Sequence, residues 1–167
     1  MTKQYVWYIA YGSNLLMERF LCYIKGGSFR GNSKIYEGCT DTSLPLKDKP
    51  FLVPYELYFG NESGSWDGSG VAFIDTDKPG IALGRAYLIT YEQFLEIQHQ
   101  EGTSPRWYGR IVELASSVGD IPHMTFTSEH RRPDNMPNNN YLDILLEGLR
   151  ETYPQLRLFW GASITEE

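Results

Sequence analysis

The chain has 167 residues, with 15 Lys and Arg against 21 Asp and Glu, a formal net charge of −6. That length is one domain, or barely two, and 41% hydrophobic with 22% charged residues excludes a disordered or fibrous chain. The acidic balance argues against a nucleic-acid partner, which needs clustered Lys and Arg; no run approaches the ~18 apolar residues of a membrane helix, so no membrane partner is expected.

The apolar stretch from Gln4 to Ala10 reads as a central strand covered on both faces. It is too short for a signal sequence with its flanks, so a cytoplasmic location is expected, with Cys22 and Cys39 as free thiols. Tyr11-Gly12-Ser13-Asn14 follows. Leu15, Leu16, Phe20 and Tyr23 then recur at helical spacing, with Arg19 on another side. Ser13 or Asn14 is the natural N-cap, and Gly26-Gly27 ends the helix.

A short strand is expected near Ser33–Glu37 and a surface loop through Asp41–Lys49. Phe51 to Phe59 reads as an edge or bulged strand because of Pro54, and Asn61 to Gly70 as a loop. Gly70 to Ile74 and Ile81 to Ile89 are rich in β-branched residues and read as two strands joined by the turn Asp77-Lys78-Pro79-Gly80. Thr90-Tyr91-Glu92-Gln93 is a capping box opening a helix that runs to about Gln100 and stops at Gly102. Trp107 to Leu114 and His123 to Thr127 read as strands. Pro137 to Asn140 introduces a last helix with Leu142, Leu145, Leu146, Leu149 and Tyr153 on one stripe. Leu156–Trp160 reads as a final strand or tail. The order describes a mixed α+β domain with a sheet of five to seven strands.

Two places carry chemistry. In the turn Tyr11-Gly12-Ser13-Asn14-Leu15, a small residue permits close backbone approach, and free N–H groups favour an anion or a polarised oxygen. A plain strand-to-helix connection is the alternative. Glu101 ends its helix, where the dipole and nearby aromatics raise a carboxyl pKa toward that of a useful general base; an exposed helix-end glutamate is the alternative. His99, His123 and His130 fall in no metal-ligand spacing with one another or with the cysteines, so no metal is expected. Arg131-Arg132 read as a solvated corner.

Tyr8-Ile9-Ala10-Tyr11-Gly12-Ser13-Asn14-Leu15 resembles the signature of the γ-glutamylcyclotransferase-like family, which includes the AIG2-like and BtrG-like proteins. Gln100-Glu101-Gly102, with Tyr108 on the strand after it, is similar to that family's second signature. Gly68-Ser69-Gly70-Val71-Ala72 and Leu83-Gly84-Arg85-Ala86-Tyr87-Leu88 are similar to its linking strands. The resemblance covers about residues 6–153. It implies a single domain, a small mixed β-barrel flanked by helices. The activity implied is release of 5-oxoproline from a γ-glutamyl amide by attack of the substrate's own α-amine, with no cofactor and a small-molecule γ-glutamyl substrate as partner.

On that resemblance Glu101 is the general acid/base, and Tyr11, Gly12, Ser13, Asn14, Leu15, Tyr108 and Tyr141 form the substrate site. Gln98 stands where the family often carries Asp. Lys47, Asp48 and Lys49 are expected over one side of the pocket. A non-catalytic metabolite-binding module, or an enzyme acting on a different amide, are the other readings.

Overall fold

The computed structural model describes residues 2–114 and 121–156. Its strands are β1 (Tyr5–Ala10), β2 (Asp48–Ser63), β3 (Ser69–Thr90), β4 (Arg110–Leu114) and β5 (His123–Thr127). The helices are α1 (Met17–Lys25), α2 (Tyr91–Glu101) and α3 (Asn139–Thr152). One sheet has the order β2-β3-β1-β5-β4. The apolar run at the N-terminus takes its centre, antiparallel to β3 and parallel to β5.

Alternation along β1 splits its side chains between two cores. Ile9 joins Val53, Phe73 and Ala86 in the core that α3 covers through Tyr141 and Leu145. Val6, Tyr8 and Ala10 join the core of α1 and α2, with Phe20, Tyr87, Phe94 and Phe126. There Phe20 stacks on Tyr87 at 4.0 Å between ring centres, and Tyr8 on Phe126 at 5.4 Å.

The first helix differs from its sequence pattern. Ser13–Leu15 form a single 3-10 turn and α1 begins only at Met17; neither Ser13 nor Asn14 caps it. The Met17 N–H donates instead to the Glu151 carboxylate at 3.0 Å, which frees the Asn14 side chain to turn inward. No strand forms at Ser33–Glu37; a lone bridge joins Gly27 and Tyr36.

β2 is an edge strand whose register breaks between Val53 and Tyr55, around Pro54, and it continues through Asn61 to Ser63. The two strands expected on either side of Asp77-Lys78-Pro79-Gly80 are one long strand. Tyr55 pairs with Pro79 while Glu56 pairs with Asp75, so the residues between bulge out without ending the ladder.

The capping box forms: the Gln93 N–H donates to Thr90 Oγ1 at 3.1 Å, and the Thr90 N–H to Gln93 Oε1 at 3.0 Å. Gly102, at φ 114°, ends α2, a backbone setting that favours glycine. β4 starts at Arg110, later than expected, and β5 has the expected bounds. Asn138 caps α3. Leu156 follows a turn at Pro154 and Gln155, its N–H donating to the Tyr153 carbonyl at 3.0 Å, and the rest of the expected Leu156–Trp160 element falls outside the described residues.

The sheet does not close into the expected barrel. Among the described residues β2 and β4 are its edges. The reason lies in the first part of β3, where side-chain hydroxyls replace a neighbouring strand. Thr127 Oγ1 accepts from the Ile74 N–H and donates to the Ile74 carbonyl. Tyr141 Oη accepts from the Ala72 N–H, and Tyr108 Oη donates to the Ala72 carbonyl, each at 2.9 Å. The backbone is thus satisfied without a ladder, and the gap in the barrel wall becomes a pocket.

Candidate active site

The pocket opens between the turn after β1, the end of α2, the start of β3 and the start of α3. Tyr11, Gly12, Ser13, Asn14, Glu101, Tyr108 and Tyr141 all line it. Leu15 does not: its side chain is 1% exposed in the core, and its N–H donates to the Gly12 carbonyl at 3.0 Å.

Glu101 is partly buried at the last position of α2. Asn14 Nδ2 donates to its Oε1 at 3.0 Å and to Tyr8 Oη at 3.2 Å. Burial raises the Glu101 pKa, against the opposing pull of Arg19, the Tyr23 hydroxyl, Lys34 and Asn14. The direction matches the sequence expectation, and desolvation is the main cause. Among the described residues Asn14 Oδ1 is itself buried with no hydrogen-bond partner, so an unused acceptor lies on the residue that holds the carboxylate.

The three tyrosines differ in what their hydroxyl protons do. Tyr11 Oη donates to the Phe126 carbonyl at 2.7 Å, and Tyr108 Oη to the Ala72 carbonyl. Tyr141 Oη accepts from Ala72, which leaves its proton to donate. Burial raises the pKa of all three, so each stays a neutral phenol at physiological pH. Gly12 is required by space: a Cβ there would lie 2.9 Å from Tyr141 Oη and 3.3 Å from Ala72 Cβ. Gln98 is buried, and its Nε2 donates to the Tyr108 carbonyl at 2.9 Å, fixing the segment after α2.

The pocket also contains residues the sequence reading passed over. Tyr8 and Tyr23, assigned there to core or helix stripe, reach it, as do Trp66 and Trp107. Arg19, read from the sequence only as lying on another side of α1 from the apolar stripe, lines it too. Lys47, Asp48 and Lys49 do not line it; Asp48 pairs with Arg85, and Lys49 lies over the Trp7 ring. Lys34, between α1 and β2, and Ser65, in the turn between β2 and β3, do line it.

Elsewhere, Arg131 bridges Glu56, Asp75 and Asp134 and is more tied down than a solvated corner. Both cysteines are free thiols; burial pushes Cys39 up to about 12, which makes it a poor nucleophile. No helix among the described residues is long and apolar enough to cross a membrane.

This architecture recurs in solved structures. A gamma-glutamyl cyclotransferase superposes with a TM-score of 0.64 at 21% identity, covering 89% of this chain and 80% of that one. The chain has the γ-glutamyl cyclotransferase fold. An uncharacterized protein from Homo sapiens shares the cyclotransferase fold at a TM-score of 0.66 and 22% identity, over 93% of this chain and 85% of the other. YkqA from Bacillus subtilis matches at 0.58 and 18%, over 94% of this chain and 54% of its own.

In sequence, the chain is 31% identical to Histone deacetylase 5 of Arabidopsis thaliana over 90% of its own length. It spans only 29% of that protein's length, and the name describes the plant protein as a whole. No family model matches the sequence.

Proposed function

We propose that this domain is a γ-glutamyl cyclotransferase that releases 5-oxoproline from a γ-glutamyl amide. The observation that carries the reading is the pairing of Glu101 with Asn14. A carboxylate of raised pKa sits beside an unpartnered buried acceptor, the arrangement an ammonium needs if it is to be bound and then deprotonated.

The substrate's α-ammonium donates to Asn14 Oδ1 and to Glu101, which takes one proton. The freed amine attacks the γ-carbonyl carbon and closes the five-membered ring. Tyr141, whose proton is uncommitted, donates to the oxygen that becomes negative. Glu101 then returns that proton to the leaving nitrogen as its bond to carbon breaks, and takes the second proton, shed by the ring nitrogen, which passes on to the released amine or to water. The products are 5-oxoproline and the free amine.

The enzyme supplies no nucleophile. Its contribution is acid–base help of ~10²–10⁴, a donor at the developing oxyanion, and confinement of a flexible chain in its ring-closing form. The 3-10 turn uses the N–H groups of Leu15 and Leu16; those before them are assigned to the substrate's α-carboxylate.

The test is release of 5-oxoproline by the purified protein from a panel of γ-glutamyl amino acids, γ-glutamyl amines and glutathione, read by mass spectrometry. Release from at least one class is expected. No release from any of them overturns the reading.

A further inference from the structure

Behind the turn that carries Asn14, β3 presents Arg85 and Tyr87 on one face, opposite Ala10 and Tyr8 of β1. Their polar ends meet two consecutive carbonyls of the turn. Tyr87 Oη donates to the Asn14 carbonyl at 2.7 Å, and Arg85 Nη1 to the Leu15 carbonyl at 2.9 Å. The guanidinium carbon lies 5.1 Å from the centre of the Tyr87 ring, so each side chain limits the movement of the other.

A peptide unit is planar, and its C=O points opposite to the N–H that follows it. Holding the Leu15 carbonyl therefore aims the Leu16 N–H, which donates to the Ser13 carbonyl at 3.3 Å. That carbonyl shares its plane with the Asn14 N–H. Holding the Asn14 carbonyl likewise aims the Leu15 N–H at the Gly12 carbonyl, at 3.0 Å, which shares its plane with the Ser13 N–H. Two short relays thus run from β3 through the turn, and each ends on an N–H of a residue that lines the pocket. Linked hydrogen bonds of this kind also polarise one another.

Ion pairing alone does not account for Arg85. Its side chain is 7% exposed, while its carboxylate partners, Asp48 at 2.8 Å and Glu151, are each 40% exposed. Water can serve both carboxylates, and pairs with such exposed groups contribute little, too little to offset burial of a guanidinium. The Leu15 carbonyl is the acceptor that water does not serve. Because two anions already balance its charge, Arg85 acts on the turn through geometry and not through a net field. We propose that Arg85 is a positioning residue for the reaction: it fixes the Leu15 peptide from behind, and through it the Asn14 N–H that receives the substrate's α-carboxylate. The proposal rests on the cyclotransferase reading for the identity of that carboxylate.

The test compares γ-glutamyl-alaninamide with 4-aminobutanoyl-alaninamide, which lacks only the α-carboxylate, by calorimetric binding to Glu101→Gln protein, where turnover does not interfere. The first should bind tighter by ~10-fold or more, from charge-assisted hydrogen bonds to the turn. Adding Arg85→Met should shrink that ratio about fivefold, the worth of one hydrogen bond, with affinity for the 4-aminobutanoyl ligand unchanged. Arg85→Lys keeps the charge between the two carboxylates and so protects the fold, but one ammonium cannot serve three acceptors, and the ratio should shrink there too. Asp48→Asn weakens an ion pair of Arg85 without touching the turn and should leave the ratio as it is. Four results overturn the proposal: equal affinity for the two ligands before Arg85 is changed, an equal loss for both ligands when it is, a ratio unmoved in Arg85→Lys, or a shift as large in Asp48→Asn. A ratio that depends on Arg85 without 5-oxoproline release by the wild type supports the positioning role and overturns the cyclotransferase reading; release with an unmoved ratio does the reverse.

Discussion

Asn14 holds Glu101: one amide hydrogen reaches the carboxylate at 3.0 Å, the other points to Tyr8 Oη, and the amide oxygen is left over. Asn14→Asp keeps the size but places a second negative charge beside the base, which raises the Glu101 pKa further. A fall of ~10–100-fold in kcat/KM is expected, with the acid limb of the pH profile displaced to higher pH. Asn14→Ala should lose comparable activity without that displacement.

Glu101 itself is a cost to the fold at neutral pH. Its folded pKa lies above its unfolded value because burial disfavours the charge. Its contribution to stability is therefore fully present below the unfolded pKa and is lost as pH rises through the folded one. Glu101→Gln should melt at or above the wild-type temperature at pH 7.5, with the difference closing by pH 4. Calorimetric scans at the two pH values check this.

Tyr141 and Tyr108 both meet Ala72, yet their Phe variants should behave differently. Tyr141→Phe removes the free donor, and a loss of ~10²–10³ in kcat is expected. Tyr108→Phe leaves the Ala72 carbonyl without its partner, so stability should fall by about 1–3 kcal/mol, with a smaller loss of rate. Denaturant melts and steady-state kinetics on both variants separate the roles.

Gly148 lets α3 lie against the turn that carries Asn14. A Cβ there would come within 2.6 Å of the Leu16 nitrogen and 2.7 Å of Leu15 Cβ. Gly148→Ala should cost about 1–3 kcal/mol and also lower activity, because the contact that gives way is the wall of the site. Equal stability and activity in the two proteins would show that α3 does not set the turn.

The strands with strong local patterns, β1 and β5, were legible from the order of their residues, and so was the Thr90–Gln93 box, because each is decided within a few residues. Glu101 and the Gly12–Asn14 turn were legible through a motif resemblance. The cap of α1 was not. Asn14 is a good cap by type, but its side chain is drawn inward by Tyr8 and Glu101, a long-range competition no local pattern records. Arg19 was missed for a related reason. A charge off the apolar stripe of a helix ordinarily faces water, and the rings around it come from Tyr23, Phe29, Tyr36 and Trp66, which only the fold assembles. Asp77-Lys78-Pro79-Gly80 has turn chemistry, yet the pairing of β2 on both sides of it converts the turn into a bulge.

The most direct measurement is 5-oxoproline formation by wild type and Glu101→Gln side by side, on whichever γ-glutamyl amide binds, with folding matched by melting and binding by calorimetry. The account predicts release by the wild type and a loss of at least ~10²-fold in Glu101→Gln, with substrate still bound. Equal release by the two proteins would contradict the role assigned to Glu101.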